Sequence, residues 1–249
     1  MAILGLFMAA LIGISLGLLG GGGSILAVPI LVYVVGMGAK PAIATSLLVV
    51  GATSFVGSLR HLRAANVDVR TALVFGVVSM ACSYGGGRLA SFLSDTFQLG
   101  FFSVVMIAAS LGMFRSRNEE GRGSVHPGLV AVSAAGVGLL TGIVGVGGGF
   151  LIVPALVLLA GIPMKRAVGT SLVVIAMNSA AAYIAYSKHV SLDWRYTAMF
   201  TGFALAGVLA GSALVESVSQ KVLRRAFATF IAGVGSFILI EILTRNVFN

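Results

Sequence analysis

Long apolar runs follow one another along the chain, and polar residues fall into short clusters between them. Uninterrupted runs over about 42–59, 71–92, 99–114, 167–186, 196–214 and 227–243 predict spanning helices, since about 20 residues rising about 1.5 Å each cross roughly 30 Å of hydrocarbon. Two further runs are broken. Residues 3–19 and 24–37 flank Gly20-Gly21-Gly22-Gly23, and residues 128–141 and 150–162 flank Gly145-Val146-Gly147-Gly148-Gly149. The first pair of arms is about 25 Å and about 21 Å long as helix, too long together for one span and short singly. A hairpin that enters and leaves on one face uses both arms; a single kinked helix reaching beyond the bilayer is the competing arrangement.

The two breaks belong to a duplication. Pro29 and Pro154, which follow them, lie 125 residues apart, and the same offset without a gap places Ala42, Thr45, Ser46 and Leu47 on Ala167, Thr170, Ser171 and Leu172. It also matches Ser54 to Ser179, Asp68 to Asp193, Arg70 to Arg195 and Gly86 to Gly211. Residues 1–114 read as a first transmembrane repeat, 115–126 as a hydrophilic linker and 127–249 as a second repeat.

Glycine runs do not hold a helix, and backbone polar groups freed by a break cannot face lipid, so each break is expected inside protein or along a polar cavity. Broken apolar segments at matching positions of two halves point to a transporter's binding site. Glycines that merely let helices pack closely are the alternative.

Composition agrees with a membrane protein. Apolar residues make up 58% of the 249 and charged residues 9%, and the mean hydropathy is +1.08. The run from Ile3 has no basic flank or small-residue cleavage site before it, so it is expected to remain part of the fold. The net charge of +9 gathers at the ends of apolar runs, where lysine and arginine meet phosphate headgroups, and implies lipid rather than nucleic acid. With both breaks as hairpins the halves are inverted, and eleven basic residues share one side against five on the other; with each break crossing once the halves are parallel and the division is nine to seven. The inverted arrangement fits the positive-inside rule better and places the linker in the cytoplasm with both termini outside. Cys82 is the only cysteine, and His61, His126 and His189 are scattered, so no disulfide, metal site or cofactor is implied. No catalytic or nucleotide-binding motif follows the glycines, which argues against an enzyme or an ATPase. Active transport would then draw on an ion gradient, of protons or sodium, or on a separate energising subunit.

Helical arms that start at Ser24 and Phe150 would aim unpaired N–H groups and positive dipole ends into the protein. Gly21, Gly22, Gly23 and Ser24 from one half and Gly147, Gly148 and Gly149 from the other are therefore candidate anion ligands. Thr45, Ser46, Thr170, Ser171 and Asn178 are available to complete the shell; each hydroxyl has the alternative of a bond within its own helix.

The two linked motifs, Gly-Gly-Gly-Ser-Ile-Leu-Ala-Val-Pro with Ala-Ile-Ala-Thr-Ser-Leu and Gly-Gly-Gly-Phe-Leu-Ile-Val-Pro with Ala-Val-Gly-Thr-Ser-Leu, resemble the sulfite exporter TauE/SafE family. The resemblance covers nearly the whole chain. It implies a small permease with duplicated halves for sulfite, organosulfonates or related anions, with the family's motifs falling on Gly20 to Ser24, Gly145 to Gly149, Thr45-Ser46 and Thr170-Ser171. The second half departs from the first at Val146 and Phe150. The expected fold is an all-α polytopic membrane protein with two inverted halves, each with a glycine-broken, re-entrant helix and three spanning helices. The expected function is secondary transport of a sulfur oxyanion across the cytoplasmic membrane by alternating access, with an anion channel or a nontransport scaffold as alternatives. One chain holds both half-sites, so a monomer suffices for a path; a homodimer is left open.

Overall fold

The computed structural model describes residues 2–90, 95–115, 127–144, 149–186 and 192–247, and every element among them is helical. Most of the linker, 116–126, and the glycines at 145–148 lie outside the described residues.

Helix α1 (Ala2–Leu19) ends where Gly20 turns to a φ of +69°, a left-handed backbone that suits a residue without a Cβ. The four glycines Gly20–Gly23 then wind a buried 3₁₀ turn into α2 (Ser24–Pro29). Pro29 has no N–H and its ring crowds the carbonyl one turn back, and the ladder after it widens into a π turn over Ile30–Val34. That turn closes with the Val35 N–H on the Ile30 carbonyl at 3.1 Å and the Met37 N–H on the Leu31 carbonyl at 2.9 Å. Gly36 sits between them at a φ of +82° as the left-handed cap. The second half repeats this course: α7 (Gly149–Pro154), a π turn over Ala155–Leu159, and Gly161 at +68°.

These arms fold back as hairpins. A methyl group placed on Gly5 would lie 2.9 Å from Val35 Cγ2, and one on Gly23 would lie 2.8 Å from the Leu16 nitrogen. A continuous helix would hold residues 5 and 35 about 45 Å apart, so the single kinked rod is ruled out for the first break. The π turn after α7 likewise packs against α6 (Pro127–Val144). Six stretches among the described residues are long and apolar enough to cross a membrane. Leu4–Val34 counts among them by length and composition only, being the hairpin itself.

The remaining helices are α3 (Ala39–Arg63), α4 (Val69–Ala90), α5 (Asp95–Arg115), α8 (Met164–Tyr186), α9 (Trp194–Ser217) and α10 (Gln220–Val247). The first hairpin's long arm packs on a helix far along the chain: α1 runs parallel to α9, with Gly13 against the Ala204 carbonyl and Gly17 against Ser212. Helix α6 packs on α4, with Gly138 against the Ser79 carbonyl. Helices α3 and α8 cross antiparallel, as Gly51 faces Ser179, Gly57 faces Leu172 and His61 faces Gly169. Helices α5 and α10 are also antiparallel: Ser110 Oγ donates to the Ala228 carbonyl at 2.8 Å, and Gly235 faces Met106. Such interhelical bonds are worth only about 0.6 kcal/mol on average inside a membrane; the glycine contacts, which set how near the backbones come, decide the packing. Large apolar side chains such as Leu16, Phe75, Phe150 and Phe200 share the interior with small and hydroxyl residues, while Phe7, Phe55, Phe101, Phe203 and Phe237 face outward, as lipid contact requires.

Candidate functional site

The two breaks meet backbone to backbone. A methyl on Gly21 would collide with the Gly149 carbonyl and stand 2.6 Å from the Phe150 nitrogen, so only glycine permits this approach. A methyl on Gly149 would lie 3.0 Å from Ser24 Oγ and 3.0 Å from Ile175 Cδ1. On the adjoining side, Gly20 lies against Ser171, with a Cβ position 2.5 Å from its hydroxyl, and against Val153. Ile175 stands half-way along α8, which puts the junction at mid-depth of that helix. Ser171, Ile175 and Asn178 follow at spacings of four and three, and so share the face of α8 turned to the junction.

The predicted ligands divide. Ser24 Oγ donates to the Gly21 carbonyl at 2.6 Å, and the Ser24 N–H is directed to the same oxygen. The expectation of an unpaired N–H at Ser24 is therefore corrected: the glycines coil into a 3₁₀ turn instead of opening. Gly22 faces Phe230 of α10, where a methyl would sit in ordinary contact 3.4 Å from the ring, and Gly23 packs on α1. Thr45 is fully buried and its Oγ1 has no partner, whereas Ser46 Oγ bonds the Ile43 carbonyl at 2.8 Å within its own helix. Ser171 touches Gly20 while donating to the Val168 carbonyl at 2.8 Å. Thr170 turns to the loop between α3 and α4, where its Oγ1 accepts from the Asp68 N–H at 3.0 Å. Asn178 reaches Ser79 Oγ at 3.4 Å with Nδ2 and keeps Oδ1 buried without a partner. Gly147 and Gly148 lie outside the described residues.

Gly21, Ser24, Gly149 and Ser171 are thus gathered, Asn178 stands one turn on, and Thr170 braces a loop. Gly20, which the sequence placed in the break and in the family's motif, also lines the junction, as do Val153 and Ile175, which it did not single out. A signal for Ile175 was present, since it lies one helical turn from Ser171. The groups at the junction are uncharged. Hydroxyls and backbone N–H groups of this kind hold an anion without a fixed countercharge that would keep it from leaving.

The family described as "Sulfite exporter TauE/SafE" matches residues 5–238, nearly the entire chain. This chain belongs to the TauE/SafE family. It is 32% identical over 239 residues to a "Probable membrane transporter protein" of Xylella fastidiosa, a match that covers 92% of this chain and 91% of that one. It is 28% identical over 247 residues to the probable membrane transporter protein MJ0441 of Methanocaldococcus jannaschii, covering 92% of each. The probable membrane transporter protein YunE of Bacillus subtilis is also 28% identical, with 89% of each chain covered. No solved structure gives a significant match. Family and relatives together make this TauE/SafE protein a multi-pass membrane transporter rather than an enzyme.

Proposed function

We propose that this TauE/SafE protein carries a small sulfur-containing oxyanion, such as sulfite or an organosulfonate, across the cytoplasmic membrane by alternating access around its two glycine breaks. The observation that carries this reading is the junction of Gly21 with Gly149 at mid-depth, beside the hydroxyls of Ser24 and Ser171. Gly21 and Gly149 touch, which favours a carrier that must rearrange over a channel with a standing pore.

Alternating access needs two halves that can trade roles, and their inversion is part of the proposal. Residues 125 apart make equivalent contacts: Gly13 meets Ala204 as Gly138 meets Ser79, and Gly36 and Gly161 share a left-handed backbone. The matched helices α3 and α8 run antiparallel, as do α5 and α10, which supports a two-fold axis in the membrane plane. One end of the bundle carries Arg60, Arg63, Arg70, Lys165, Arg166, Lys221, Arg224 and Arg225, joined there by the Met164 N–H on Gln220 Oε1 at 3.1 Å and Lys165 Nζ on the Glu216 carbonyl at 2.9 Å. The positive-inside rule assigns that end to the cytoplasm. Export of an anion then runs with a negative-inside potential, whereas uptake needs a coupled cation.

The test is exchange of radiolabelled sulfite by the purified protein in liposomes, with an organosulfonate and sulfate as competitors. Saturable exchange displaced by the sulfonate is expected. A large electrical flux that does not saturate would make it a channel, and no exchange by demonstrably folded protein would remove this anion class.

A further inference from the structure

Between the junction and the basic end, the interior face of α3 presents Ser54, Gly57, Ser58 and His61 at helical spacing. His61 is 2% exposed although it stands next to Arg60 and two residues before Arg63. Its backbone neighbour across the interface is Gly169 of α8, two residues from the Ser171 that touches Gly20. The backbone of Gly17 lies within reach of its ring. Gly17 is in the last turn of α1, where carbonyls have no partner within the helix. Nε2 is buried with no partner; with the ring proton on Nδ1, its lone pair is left to accept. Buried polar groups nearly always find a partner, and a basic nitrogen without one calls for a ligand. The smallest is a proton.

Burial, the largest influence on the ring, works against its charged form; the carboxyl end of α1 and Glu216 work the other way. A cation at the carboxyl end of a helix lies at the negative end of its dipole. Glu216 of α9 supplies an opposite charge acting on the ring, and Arg60 a like one. Helix α1 contributes no titratable side chain, Lys165 of α8 is engaged by the Glu216 carbonyl, and the Asp68 carboxylate in the adjoining loop accepts from the Thr71 N–H at 3.0 Å. Ser212 Oγ, buried without a partner, lies beside Gly57 on the same interface, and Ser54 Oγ, two turns before His61, is likewise buried without one.

We propose that His61 binds the proton that couples anion movement to a pH gradient, taking it at Nε2 and holding it over the carboxyl end of α1. This rests on the transport reading above and adds the coupling ion to it. Water on the open side gives up the proton, which adds to the Nε2 lone pair; one monoanion then travels with one positive charge, and the proton returns to water on the far side. Gly17 is one turn from Gly20, so occupancy of the ring bears directly on the carbonyl end that leads into the glycine turn.

Two measurements decide it. In liposomes, sulfite exchange without gradients and sulfite accumulation under a pH gradient are compared for the wild type and His61→Gln, which keeps an N–H for Gly17 but no titrating nitrogen. One proton per anion across a gradient of about one pH unit sustains accumulation of about tenfold; the wild type is expected to approach this, and His61→Gln to exchange normally without accumulating. Equal accumulation by the variant overturns the proposal. So does wild-type exchange indifferent to the gradient, although that result leaves the transport reading standing. If the wild type does not exchange sulfite, or His61→Gln does not fold, nitrogen NMR of the His126→Gln, His189→Gln double variant decides, because His61 is then the only histidine. Protonation of its Nε2 between about pH 5 and 8 supports the site, and a ring that stays neutral throughout overturns it.

Discussion

Gly21 and Gly22 are neighbours in one turn, yet only the first meets the backbone of the second break. Gly21→Ala would push a methyl into the Gly149 carbonyl, backbone on backbone, where neither side yields without moving a helix. Overpacking of this kind costs about 1–3 kcal/mol; where that cost falls on the working state, sulfite exchange is expected to drop by about 5- to 150-fold. Gly22→Ala meets only the edge of the Phe230 ring at 3.4 Å and is expected to exchange sulfite at about the wild-type rate. Equal losses in the two variants would place the functional contact elsewhere. The sequence marked the whole glycine run and assigned it to a break, but four identical residues carry no sign of which one touches a partner. The same holds for Thr170 and Ser171: both were legible as buried hydroxyls, and their adjacency turns one to a loop and the other to Gly20 by the 100° step of the helix, which a motif does not display.

Helix positions followed closely from hydropathy. The run at 196–214 became α9 over Trp194–Ser217, capped by Asp193, whose carboxylate accepts from the Tyr196 N–H at 3.0 Å. Hydropathy did not choose between a hairpin and a kinked rod, because both bury the same residues; the choice lies in the contact of Gly5 with Val35. Partners were less legible still. Gly13 and Gly17 announce a close approach, but small residues at this spacing say nothing about whose backbone arrives. Gly13→Ala is expected to destabilise the protein by about 1–3 kcal/mol, since the methyl would strike the Ala204 carbonyl. Gly202→Ala, on the outer face of α9 with nothing within 4 Å, should instead be neutral or stabilising by up to about 1 kcal/mol. Thermal unfolding in detergent compares them, and a stable Gly13→Ala protein would contradict the packing of α1 on α9.

At the scale of the molecule, the charge count alone favoured inverted halves, and the geometry adds a reason: the basic ends of α3, α8 and α10 adjoin one another beside the carboxyl end of α9. In a Cys82→Ser background, Arg63→Cys and Lys221→Cys are expected to react with an impermeant thiol reagent from one side of the membrane and Lys40→Cys from the other. Labelling of Arg63→Cys and Lys221→Cys from opposite sides would require parallel halves and a different reading of the breaks. The pairing of α1 with α9 also has a consequence in time. Gly13 leaves the ribosome roughly 190 residues before Ala204, which at about 5–20 residues per second is an interval of roughly 10 to 40 s. Through that interval the glycine face of the first hairpin can be covered only by lipid, by the insertion machinery or by a temporary neighbour, and the turn at its tip waits for Gly149, roughly 130 residues after Gly21.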